Sequence, residues 1–191
     1  MSSNLETSAL PALIIEAEKI SVEASAAFGQ LSPAQLNWKR SADEWSIGQC
    51  FDHLITTNRT DFPILERIAA GEQKTTLWQR VPLLPSFFGR LLIRTCSPES
   101  ARKLKAPKVF RPASSDIDGQ IISRFARHQD ELMRLMTATE GLELDKIIIT
   151  SAVSSLITYS LLDGYRIIIT HERRHFLQAE RVMAAEEFPR A

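Results

Sequence analysis

Histidine is the residue of this sequence best placed to do chemistry, and there are only 4. His171 and His175 stand four apart in His171-Glu172-Arg173-Arg174-His175. On a helix, residues at i and i+4 share a face with their rings one turn apart, so both can present a nitrogen to one ion at about 2.0–2.1 Å. The spacing alone also fits two surface histidines, or two core histidines with hydrogen-bond partners. Their position adds to it. Ile157, Leu161, Gly164, Ile168, His171, His175, Gln178 and Val182 follow the alternating three- and four-residue spacing of a bundle seam, so the two rings interrupt an apolar stripe. Two imidazoles buried without partners would cost about 1–3 kcal/mol each, and one shared divalent ion would satisfy both. His53, on an earlier helix with Cys50 and Thr57 one turn away on either side, is the natural third ligand, because bundle sites are assembled from facing helices. Three histidines leave a coordination position open. There water or substrate can be polarised, which is the mark of a catalytic ion.

Other reactive side chains carry less. His128 lies in His128-Gln129-Asp130-Glu131 among charged neighbours and is expected on a solvated helix face. Cys50 precedes His53 by one turn, where a thiolate would be a strong ligand, but a buried inert thiol is the expected state. Cys96 gives no usable signal. Arg173 and Arg174 are read as solvated or salt-bridged, with steering of an anionic substrate as the alternative. Asp52, Glu172 or a backbone carbonyl would hold the second nitrogen of a ligating histidine.

The elements that must carry these residues are legible as helices. Ser8 to Gln30 is rich in Ala, Glu, Leu and Ile, with Leu10, Leu13, Ile14, Ala17, Ile20 and Ala24 forming one stripe. Leu31-Ser32-Pro33 ends it. Asp43-Glu44-Trp45-Ser46 supplies capping oxygens for a second helix running towards Ala70, which Pro63 should kink near Thr60. From Gly71 to Ala113 the prolines at 82, 85, 98, 107 and 112 mark a long excursion with one short helical stretch, Ser86 to Thr95, and connections of this length often act as lids. Asp116 caps a third helix with the stripe Ile121, Ile122, Phe125, Leu132, Leu135 and Met136, and Gly141 stops it. Lys146 to Val153 is β-branched and reads as a brief, unpartnered extended segment, followed by a last helix over Leu156 to Ala185. The fold class expected is all-α: a four-helix bundle of up-down-down-up type, with the proline-rich excursion between helices two and three.

Length and composition narrow the function. A chain of 191 residues fits one domain. With 23 basic and 23 acidic residues the net charge is zero, so no overall basic excess points to nucleic acid or an anionic membrane, and little repulsion opposes self-association. Two cysteines are too few for a disulfide framework, and the amino-terminal residues lack the pattern of a secretory signal, so a cytoplasmic protein is expected. The longest uncharged run, Ile147 to Leu162, has sixteen residues, short of the roughly 20 that cross a bilayer.

Two motifs resemble a known family. Trp45-Ser46-Ile47-Gly48-Gln49-Cys50-Phe51-Asp52-His53-Leu54 is similar to the second-helix motif of the DinB-like superfamily, and His171-Glu172-Arg173-Arg174-His175-Phe176-Leu177-Gln178 is similar to its last-helix motif, in the same order. The resemblance implies a four-helix bundle, often a homodimer, holding zinc, nickel or a similar ion on His53, His171 and His175. Characterised members include thiol-dependent transferases and isomerases that use glutathione, mycothiol or bacillithiol. The excursion from Gly71 to Ala113 departs from short members of the family. The leading expectation is a metal-dependent transferase that activates a low-molecular-weight thiol against an electrophilic small molecule. The alternatives are a metal hydrolase and a non-catalytic metal-stabilised assembly module.

Overall fold

A computed structural model describes residues 9–72, 83–99, 110–112, 115–152 and 154–190. About half of the excursion expected as a lid, residues 73–82, 100–109 and 113, lies outside the described residues. The chain is all-α apart from one short hairpin. Helix α1 spans Ala9–Phe28, α2 Pro33–Asn37, α3 Ile47–Arg59, α4 Phe62–Ala69, α5 Leu84–Cys96, α6 Ile121–Thr137 and α7 Leu161–Met183. Strands β1 (Ile148–Thr150) and β2 (Thr158–Ser160) pair antiparallel, with Ile149 opposite Tyr159.

Local chemistry sets the helix starts. Ser46 accepts a hydrogen bond from the Gln49 amide while the Gln49 side chain accepts one from the Ser46 amide, a reciprocal capping box that fixes where α3 begins. Ser32 and Gln35 do the same for α2. The expected kink at Pro63 is a full break. Proline cannot donate to the preceding turn, so α3 ends at Arg59 and α4 starts at Phe62 with Pro63 in its first turn. Two other expectations need correction. The β-branched segment near residue 148 is partnered, because residues 158–160, expected as the first turns of the last helix, pair with it instead. The last helix therefore begins at Leu161, where the Ser160 hydroxyl accepts from the Asp163 amide.

Helix α1 packs on α6 and α7, α3 on the same two helices, α4 on α6, and α5 on α7 and β2. Two apolar clusters fill the interior. One gathers Phe28, Phe51, Phe125, Phe176 and Ala179, and the other Leu65, Leu132, Leu135, Leu161 and Tyr165. Buried polar side chains interrupt the interior on three helices: Asn58 on α3, Gln129 on α6 and Glu172 on α7. Asn58 donates to Glu172 Oε1 at 2.7 Å, and Gln129 Nε2 donates to Glu172 Oε2 at 3.0 Å and to the Ala17 carbonyl at 3.2 Å. One carboxyl thus links four helices, since a buried polar group must find its partners inside the protein.

Candidate metal centre

The capping box at Ser46 and the seam of α7 bring three histidines to one point beside this polar layer. His53 projects from α3, and His171 and His175 from successive turns of α7. Their ligand nitrogens all lie within 4.8 Å of one another. His171 Nε2 is 3.2 Å from His53 Nε2 and 3.1 Å from His175 Nε2.

The opposite ring edges fix the protons. His53 Nδ1 lies 2.5 Å from the Phe110 carbonyl, which can only accept, so Nδ1 carries the hydrogen and Nε2 a lone pair. His175 Nδ1 donates in the same way to Gln178 Oε1 at 3.0 Å. Two lone pairs therefore face His171 Nε2. A single proton there would serve one of them well; a cation serves all three nitrogens. For an ion held at about 2.0–2.1 Å in tetrahedral geometry, neighbouring nitrogens lie about 3.3 Å apart, close to both separations from His171. The residues present fit a divalent ion.

Burial keeps the rings neutral. It lowers His53 below its ordinary value against the opposing pull of the Phe110 carbonyl and Asp52. It pushes His171 down to about 3, helped by the charges of His53 and Arg174, and takes His175 well below 6.5. Neutral imidazole is the form that ligates.

Trp45 walls the cluster. Its ring stacks on His175 at 5.5 Å and 21° and tilts against His53 at 4.8 Å. Read from sequence only as a helix opener, it orients two of the three rings. Phe110, 57 residues from His53 in the chain, carries no sequence signal for its role.

Of the remaining residues, His128 requires a correction. It is 2 % exposed rather than solvated, stacked on Phe62 at 4.9 Å and 6°, because it lies on the α6 face that α4 covers. Its ring is not in the cluster. Neither Asp52 nor Glu172 holds a histidine's second nitrogen; the Phe110 carbonyl and Gln178 do, and Glu172 turns into the polar layer. Cys50 is buried as expected, with its thiol pushed up to about 12 by burial. Arg173 is salt-bridged to Glu16 and Glu23 of α1. Arg174 donates to the Thr95 and Ser97 carbonyls, tying the end of α5 to α7.

The family model of the DinB superfamily matches residues 22–179. The chain belongs to this superfamily. The match covers α3 and most of α7, and so includes His53, His171 and His175. In this DinB-superfamily chain the residues that carried the resemblance, Trp45 with His53 and His171 with His175, are the ones that meet in space. No curated protein and no solved structure matches the chain. Among the described residues no helix is long and apolar enough to cross a membrane.

Proposed function

We propose that His53, His171 and His175 hold one divalent ion, zinc or nickel, and that the protein transfers a low-molecular-weight thiol to an electrophilic small molecule. The observation that carries the metal reading is the convergence of Nε2 atoms whose partner nitrogens already spend their protons on Phe110 and Gln178. A divalent ion at this position lowers the pKa of a bound thiol and so supplies thiolate, the reactive nucleophile, near neutral pH.

The chain's own contribution is placement. The Phe110 carbonyl and Gln178 lock the ring tautomers, so the nitrogens need little rearrangement to ligate. Trp45 excludes water from one flank and resists rotation of His53 and His175. Thiol chemistry is favoured over hydrolysis because the carboxyl next to His171 is engaged elsewhere. Glu172 is bound by Asn58 and Gln129, and burial raises it to about 8, against the opposing pull of those two hydrogen bonds, so it is not aimed at the histidines as a general base. Cys50 and Cys96 are both free, which fits the reducing cytoplasm in which such thiols are abundant. A homodimer is part of the same reading.

Elemental analysis of the purified protein and of His53→Ala, His171→Ala and His175→Ala tests the metal. Each variant should lose most of its metal while retaining helical content, and full retention by His175→Ala would overturn the triad. Glutathione, cysteine, mycothiol and bacillithiol, compared with one electrophile at equal metal loading, test the reaction. Turnover should need both metal and thiol. An equal rate without thiol would favour a hydrolase, and no turnover across an electrophile and ester panel would favour a metal-stabilised assembly module.

A further inference from the structure

The neutrality of the whole chain hides a segregation of sign. Between residues 73 and 115 there are nine Lys and Arg against one acid, Glu99, a net of +8; the remaining 14 basic residues face 22 acids, a net of −8. Helix α5 is the described element within that segment. It carries Arg90 and Arg94 and no acid.

One face of α5 is buried. Pro85 and Gly89 pack inward, and a β-carbon at Gly89 would come within 2.4 Å of Asp163 Oδ2, so glycine is what lets α5 lie this close to α7. Arg174 fastens its carboxyl end through the Thr95 and Ser97 carbonyls. The opposite face is exposed, and it carries a row of large apolar side chains. Leu83, Phe87 and Leu91, at i, i+4 and i+8, are 84 %, 58 % and 46 % exposed. At 100° per residue, Arg90 and Arg94 fall on the same arc. Leu83, just before the helix, has φ of 68°, a conformation unfavourable for any residue with a β-carbon, and it holds out the most exposed large apolar side chain of the described residues.

Protruding leucine and phenylalanine beside arginines, with no acid, suit an interface in which apolar side chains enter an acyl boundary and guanidinium groups meet phosphates. A second copy is a poorer occupant. Meeting through the same face it would bring two sets of Arg90 and Arg94 together with no acid of this helix to offset them, and meeting through an acidic face elsewhere it would make a heterologous contact, which closes only if its rotation generates a ring. We propose that α5 docks the protein on an anionic phospholipid surface, with Leu83, Phe87 and Leu91 inserted and Arg90 and Arg94 on the headgroup phosphates. Arg174, next but two to His171 on α7, ties the carboxyl end of this helix to the element that carries two of the three histidines.

The test is co-sedimentation of the full-length protein with phosphatidylcholine vesicles, with and without about a third phosphatidylglycerol. Binding should appear with the anionic lipid and weaken as salt rises. Arg90→Gln and Arg94→Gln should each weaken it about fivefold. Phe87→Ser, which leaves every charge in place, should weaken it at least tenfold. Helical content is checked by circular dichroism, and all of these side chains are on the surface. Equal binding to neutral and anionic vesicles, or none to either, would overturn the proposal. So would full binding by Phe87→Ser, which would assign the attraction to basic residues outside α5. Concentration-dependent self-association that Phe87→Ser abolishes would assign the stripe to a second copy instead.

Discussion

Replacing His128 with phenylalanine should stabilise the protein, and increasingly so as pH falls. Neither ring nitrogen of His128 has a hydrogen-bond partner among the described residues, although the side chain is 2 % exposed and stacked on Phe62. A buried polar atom without a partner costs about 1–3 kcal/mol. Phenylalanine keeps the ring and its stacking while removing that cost, so a gain of about 1 kcal/mol or more is expected at pH 8, or about 2–4 °C in Tm per kcal/mol for a chain of this size. The pH dependence adds to it. Burial, then the nearby Arg59 charge, lowers His128 from 6.5 to about 4 in the folded protein. A folded value below the unfolded one means that the unfolded chain binds the proton more readily, so this histidine takes stability away as pH falls from about 6.5 towards 4. At pH 5 the loss is on the order of 2 kcal/mol. Phenylalanine does not titrate. Paired urea melts of the two proteins at pH 8 and pH 5, with chelator present to keep metal out of the comparison, should show the variant more stable at both and the gap wider at pH 5. A variant less stable at pH 8, or a gap that does not change with pH, would show that the ring nitrogens are hydrogen-bonded in solution and refute the reasoning.

Metal-linked stability should run in the same direction. The histidines ligate as neutral rings, and burial lowers all three when folded, His171 to about 3, so protons compete with the ion only well below about pH 6.5; the rise in Tm on adding zinc should persist at about pH 6 and be lost as pH nears about 3, as paired melts would show, and an equal rise at about pH 3 would contradict the site. Trp45→Ala should weaken metal affinity roughly tenfold or more by freeing His53 and His175, measured by competition with a chromogenic chelator, with Trp45→Phe recovering part of the loss. Cys50→Ser and Cys96→Ser should keep most thiol-transfer activity, because neither sulfur belongs to the histidine cluster; loss of turnover in a folded Cys96→Ser protein would assign the nucleophile to the chain itself.

The parts of this protein governed by short stretches of chain were legible in its sequence. Helical periodicity marked α1, α3, α6 and α7, the prolines marked the excursion and a kink where the chain breaks before α4, and the i, i+4 spacing on a seam marked His171 and His175, with His53 as their partner. Each depends on neighbours within a turn or two, where geometry is fixed by the helix itself. Other features depended on residues brought together from far apart. A charged local setting made His128 read as exposed, but the covering helix α4 buries it. The β1–β2 pairing shortened the last helix, and no local pattern shows which segment a strand will meet. Glu172 looked like a candidate histidine partner, yet the meeting of α3, α6 and α7 turned it to Asn58 and Gln129, while Phe110 arrived from across the chain to hold His53. Residue type and spacing determined which groups could do chemistry; packing decided their partners and protons, because burial and hydrogen bonding belong to the surroundings of a side chain and not to its place in the sequence.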